Sequence, residues 1–181
     1  MMTNDMYMLI VTVTASVIAA ITDLRSRRIP NALTFPAMAL GLMYHLVTGG
    51  PTMLLQSACS MMLGLGLFMI PYLMGGMGAG DAKLMGALGA MLGARAIANI
   101  CLFTAIAGGI YALGVIILMR ESKNVIRDSV TSLGVLALTK DLSLLSMPRK
   151  AGMPRLCYAV AIAAGTLLYA VLVLSGHEAI I

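Results

Sequence analysis

The sequence predicts an all-α, polytopic membrane protein, and three observations carry that expectation. Sixty per cent of the 181 residues are hydrophobic and only 10% are charged, against roughly 45–50% and 25% in a soluble domain. Mean hydropathy is +0.97. The apolar residues fall in runs near the length needed to cross a bilayer, with most of the charge between them. Seven acidic and twelve basic side chains are too few to coat a water-facing surface, which excludes soluble globular, disordered and coiled-coil classes. At this length a single membrane domain over residues 1–181 is expected.

The first apolar run is 6–22. It lacks a basic leader, carries Asp5, and runs without a cleavage signal into Asp-Leu-Arg-Ser-Arg-Arg at 23–28, so it reads as a retained helix and not a signal peptide. The second is 33–48, entered through Pro30-Asn31. The third is 53–74, after Gly49-Gly50-Pro51. A glycine-rich break at 75–81 follows. Residues 82–119 are then almost wholly apolar apart from Lys83 and Arg95, and the last run is 156–175.

Positive charge resolves the long stretch. Basic residues concentrate in cytoplasmic loops, and they cluster here at 23–31 and 120–155. One helix over 82–119 would place those clusters on opposite sides. A turn at Gly93-Ala94-Arg95 places them together. The expectation is therefore a short fourth helix over 82–93 and a fifth over 96–119. That makes six membrane helices with both termini outside and eleven of the twelve basic residues inside, Arg95 being the exception. The fourth rises only about 15–18 Å and needs shielded ends. Its small residues Ala82, Gly86, Ala90 and Gly93 form a stripe suited to close helix packing. In the basic loop 120–155, the apolar stretch 130–138 suggests an interfacial helix.

The net charge of +5 reads as topological, with no implied nucleic-acid partner. Cys59, Cys101 and Cys157 form no CxxC and read as small buried residues, and His45 and His177 are isolated, so no metal site is expected.

Five of the acidic residues lie near the termini or among basic residues. Asp23 and Asp81 remain, each at the edge of an apolar run, and the parity of crossings puts both at one membrane face. Acidic side chains at membrane depth are costly and usually functional. Thr12, Ser16 and Asp23 share a helix face, which should turn inward. Asp81 follows Gly78-Ala79-Gly80, where glycine permits positive φ or close backbone approach. Taken singly, Asp23 could pair with Arg25 or Arg27, and Asp81 could be a helix N-cap. Taken together, two carboxyls at one depth can share a proton, one ionised and one neutral. That is what an aspartic protease requires.

These residues resemble the type IV prepilin peptidases, the GxGD membrane aspartic proteases. Gly78-Ala79-Gly80-Asp81 is similar to the GxGD motif. Asp23 with Ile29-Pro30-Asn31 resembles the family's first aspartate and its Ile-Pro-Asn element, and Pro154, Tyr158, Ile162 and Gly165 resemble its last-helix pattern. The resemblance implies an inner-membrane endopeptidase that removes a basic, Gly-ended leader from prepilin-like precursors at the cytoplasmic face. It implies a lipid bilayer and a prepilin as partners, and no cofactor. Asp23 and Asp81 are the implied catalytic pair, Gly78 and Gly80 shape the loop, and Lys83 is a substrate or structural contact. The family's larger members carry paired CxxC motifs associated with N-methylation. None occurs here, so a peptidase of the short Flp/Tad-pilus form, without the methyltransferase region, is expected. Two other readings stand beside it: a proton- or cation-coupled carrier using the same aspartates, and a non-enzymatic secretion subunit.

Overall fold

The computed structural model describes residues 2–73, 76–118 and 157–176. Every regular element among them is a helix: α1 (Met2–Ser26), α2 (Asn31–Leu73), α3 (Ala79–Leu92), α4 (Ala94–Leu118) and α5 (Tyr158–Leu174). The basic loop 120–155 with the expected interfacial helix at 130–138 lies outside the described residues, as do Gly75, Pro154 and His177.

The runs expected at 33–48 and 53–74 are arms of one bent helix. Gly50 breaks α2 at φ 68°, ψ −161°, a region open in practice only to glycine. Pro51 then opens the second arm with its φ already set for a helix. The chain reverses at this point. A Cβ on Gly41 would lie 2.7 Å from the carbonyl carbon of Ala90, and Ser57 Oγ donates to the Ala90 carbonyl at 2.7 Å. On a straight helix residues 41 and 57 would lie about 24 Å apart. They can touch one residue only if the arms 31–49 and 51–73 fold back on each other.

The short helix after the glycine-rich break spans 79–92, three residues earlier than the expected start, so Gly80 and Asp81 belong to its first turn. The turn at Gly93 is as expected, with φ 86° and ψ 177°. α3 is the centre of the molecule. Between Asp81 and Met91 only Lys83 is not buried, and Leu84, Met85, Ala87, Leu88 and Ala90 have no exposed surface. It reaches that depth through small residues. Gly64 packs on the Met85 carbonyl, Gly89 on the Ser60 carbonyl, and Gly86 against the Leu65 side chain. Its short span is thereby shielded by protein along its length.

Among the described residues three segments are long and apolar enough to cross a bilayer: Met6–Ser26, Asn31–Leu73 and Ala94–Tyr111. Tyr158–Leu174 is apolar but shorter. The outer surface of the bundle is apolar as well, with Ile10, Leu40, Val47, Leu55, Ile70 and Leu113 exposed. An exterior of this kind suits hydrocarbon and not water.

α4 returns antiparallel to α3 and pairs with α5. A Cβ on Gly165 would sit 2.5 Å from Thr104 Oγ1, and one on Gly108 would sit 3.0 Å from the Tyr158 hydroxyl. The bundle therefore has two ends. One gathers the C-terminus of α1 and the N-termini of α2, α3 and α5. The other holds the turns at Gly50 and Gly93.

Candidate active site

Asp23 lies in the last turn of α1, on the inward stripe expected for it. Thr12, Ser16 and Asp23 are all buried. Thr12 and Ser16 return their hydroxyl hydrogens to their own helix, at the carbonyls of Met8 and Val13. α1 closes just beyond Asp23. Arg27 adopts φ 51°, and its N–H donates to the Asp23 carbonyl at 2.7 Å. This left-handed residue turns the chain into Arg28-Ile29-Pro30-Asn31. The contact that links Asp23 and Arg27 is this backbone bond.

Asp81 is buried in the first turn of α3. It is not the N-cap, which is Gly78. It is the third helical residue, and its Oδ2 accepts the Gly78 N–H at 2.9 Å, while its own N–H donates to the Gly78 carbonyl at 3.1 Å. The first of these bonds is one half of a capping box; glycine has no side chain to supply the other, and the second bond is an ordinary turn bond. Its Oδ1 is buried without a hydrogen-bond partner among the described residues. A buried acceptor in that state is expensive and calls for a proton or a donor.

The two carboxyls lie within electrostatic reach of each other. They come from helices of opposite direction at one end of the bundle. α5 starts beside them. The backbone N–H of Ala159 is within hydrogen-bonding reach of the Asp23 carboxyl, and Cys157 Sγ lies 4.0 Å from the Asp23 carbonyl oxygen. Tyr158 is half-buried and feels the Asp81 charge.

The glycines of the loop differ in purpose. Neither has positive φ; among the described glycines that belongs to Gly50, Gly93 and Gly176. Of the two reasons the sequence offers, close approach is the one that applies, and it applies at Gly80. A Cβ there would lie 3.0 Å from Ile29 Cβ, whereas one on Gly78 would first meet Asp81 Oδ2 at 3.4 Å. Lys83 points away from the pair. Its Nζ donates to Asn31 Oδ1 at 3.0 Å and lies 5.1 Å from the Phe35 ring centroid. It ties α3 to the start of α2.

Sequence reasoning missed Ile29, Asn31 and Ala159 as parts of this end. The Ile-Pro-Asn element was a signal for the first two. A backbone N–H leaves no signal in sequence. The cysteines depart from expectation: Cys59 is exposed, and Cys101 and Cys157 are partly so. His45 is held by its own helix, with Nδ1 2.9 Å from the Gly41 carbonyl oxygen.

Comparison with known proteins bears on this arrangement. Residues 10–113, which hold both aspartates, the Ile-Pro-Asn element and the glycine loop, match the type IV leader peptidase family. Two curated relatives, both described as prepilin leader peptidase/N-methyltransferase and both from Aeromonas salmonicida (one from strain A449), are 34% identical over 116 residues. The aligned region is 60% of this chain and 40% of each relative. The chain thus spans about two fifths of the length of the curated relatives it matches. No solved structure matches it.

Proposed function

The chain belongs to the type IV leader peptidase family, and from that premise we propose that it is a membrane aspartyl endopeptidase with Asp23 and Asp81 as its catalytic pair. The observation that supports this most is the convergence of two buried carboxyls from α1 and α3 at one end of the bundle. In the proposed reaction the ionised carboxylate takes a proton from a water held between the pair. The oxygen attacks the scissile carbonyl, and the protonated partner donates to the carbonyl oxygen. The gem-diol collapses as the C–N bond breaks: one hydroxyl returns its proton to the partner carboxylate, and the proton held by the first carboxyl passes to the leaving amine. Each carboxyl ends ready for another cycle, and no covalent enzyme intermediate is formed. The Gly78 N–H holds one Asp81 oxygen, the Ala159 N–H lies near the Asp23 carboxyl, and the Asp81 oxygen without a partner among the described residues is the one free to act.

The substrate in this reading is a prepilin-like precursor whose apolar helix enters the bundle laterally from the lipid, leaving its basic leader at the cytoplasmic face of the inner membrane. Six crossings follow if each arm of α2 spans the bilayer. Peptidase chemistry of the short Flp/Tad type is what is proposed for these residues, which carry the two aspartates, the Ile-Pro-Asn element and the glycine loop. Gly78 and Gly80 shape the loop, and Lys83 is structural. Co-expression with a prepilin-like precursor tests the reading. Leader removal is expected with the native chain and a loss of roughly a hundredfold or more in Asp23→Asn and in Asp81→Asn. Intact cleavage in both variants sinks the peptidase reading, and ion flux that depends on both residues replaces it with the carrier.

A further inference from the structure

One side chain touches the neighbourhoods of both aspartates. Ile29 sits in the short loop between α1 and α2. It packs against a cluster of Ala20, Ala159 and Ala163, and it also packs on the main core around α3. Ala20 precedes Asp23 by one helical turn. Ala159 carries the N–H that reaches the Asp23 carboxyl. Gly80 precedes Asp81, and its backbone approaches Ile29 so closely that a Cβ there would lie 3.0 Å from Ile29 Cβ. Three alanines and a glycine thus make a socket for one β-branched side chain. Beyond Asp81 the same loop is fastened again, by Lys83 Nζ on Asn31 Oδ1 at 3.0 Å. The loop straddles Asp81, held at Gly80 on one side and at Lys83 on the other.

We propose that Ile29 is a positioning residue that sets the spacing between the Asp23 and Asp81 carboxyls. It touches neither carboxyl and acts through the backbones that carry them. A β-branched side chain suits this, because its χ1 is stiff and it fills the socket in one orientation. The loop itself is pinned by Arg27 in the left-handed region and by Pro30, so Ile29 has little freedom to be displaced. The inference rests on the peptidase reading only for its catalytic consequence. The spacing itself is a physical claim.

Two measurements on the full chain separate those levels. In a background with Cys59, Cys101 and Cys157 replaced by alanine, nitroxides are attached at Leu24→Cys and Ala79→Cys, exposed positions beside the two aspartates, and their dipolar broadening is read by EPR. Ile29→Ala is expected to weaken and spread that broadening, and Ile29→Val to restore most of it. Gly80→Ala, which presses on Ile29 from the opposite wall, should give the same signature without shortening Ile29. In the otherwise native chain, Ile29→Ala is expected to lower kcat on a prepilin-like substrate by roughly a hundredfold, the scale of a small misplacement of reacting groups, with KM within about twofold. Unchanged broadening in Ile29→Ala overturns the proposal, as does an intact kcat alongside altered broadening. If the peptidase reading fails, Asp23→Asn and Asp81→Asn still cleave, and the EPR result alone then decides the spacing claim.

Discussion

At the scale of single residues, the two loop glycines look equivalent in a GxGD motif and are not equivalent in space. Gly78 has φ −85°, which any residue adopts, and its hypothetical Cβ makes an ordinary contact at 3.4 Å. Gly80 faces Ile29 at 3.0 Å, where the neighbour must yield. Gly80→Ala is therefore expected to reduce cleavage by about tenfold or more, since a small displacement at a reacting centre is costly. Gly78→Ala should lose clearly less, because the Asp81 carboxyl accepts from a backbone N–H that alanine also has. Rates of leader removal for the two variants side by side check this, and equal losses would show that backbone freedom, and not Ile29, is what the motif protects. Lys83 illustrates the opposite case. Its proximity to Asp81 in sequence suggests electrostatics, but its ammonium is spent on Asn31 and Phe35. Lys83→Met keeps the apolar stem over the ring and loses one hydrogen bond at a partly exposed site, so about 1 kcal/mol or less of stability is expected to go, measured as thermal unfolding in detergent.

At the scale of elements, the sequence foretells much of α3 and little of what surrounds it. The hairpin at 93 was legible because seven basic residues had to return to one side of the membrane. The inward stripe of α1 was legible because threonine, serine and aspartate recur at helical spacing. The partners of the small-residue stripe were not, since nothing local says which helix a glycine will meet. Of that stripe Gly86 meets the Leu65 side chain of α2, while Gly89, beside the stripe, meets the Ser60 carbonyl. Gly89→Ala drives a methyl onto the Ser60 carbonyl and is expected to cost about 1–3 kcal/mol by overpacking. Gly66, on the same arm of α2, has nothing within 4 Å. Gly66→Ala should be neutral or add up to about 1 kcal/mol through helix propensity. The contrast in detergent melting temperature is the measurement, and a Gly89→Ala chain as stable as Gly66→Ala would refute the close packing. The turn glycines form a further class. Gly50 and Gly93 have open space around them but a φ that other residues avoid. Their cost on mutation to alanine, of order 1–3 kcal/mol each, comes from the backbone and not from a clash.

At the scale of the whole molecule, the bundle sorts its polar chemistry to one end. Asp23, Ile29, Asn31, Asp81, Lys83 and the first turn of α5 gather there, while the opposite end carries the two glycine turns. Charge scarcity made the aspartates visible in sequence, since each of the few acidic residues could be examined alone. What composition could not supply was the third wall of the site, α5, whose contribution includes two small side chains, Ala159 and Ala163. The same two-ended arrangement carries the topology. If the aspartate end faces the cytoplasm, the loop after α1 is inside and the turn between α3 and α4 is outside. With native cysteines replaced, single cysteines at Ser26 and Ala94, both exposed, should label on opposite sides of the membrane. A reagent that cannot cross the bilayer should reach Ala94→Cys in intact cells and Ser26→Cys only after permeabilisation. Thr52→Cys, just beyond the bend in α2, should behave like Ala94→Cys, because both arms of α2 then cross the bilayer. Labelling at 52 and 26 from the same side would mean that α2 bends without crossing twice. Six crossings would then be wrong, although the pairing of the aspartates, which depends on α1, α3, α5 and the loop at Ile29 and not on the far arm of α2, would survive.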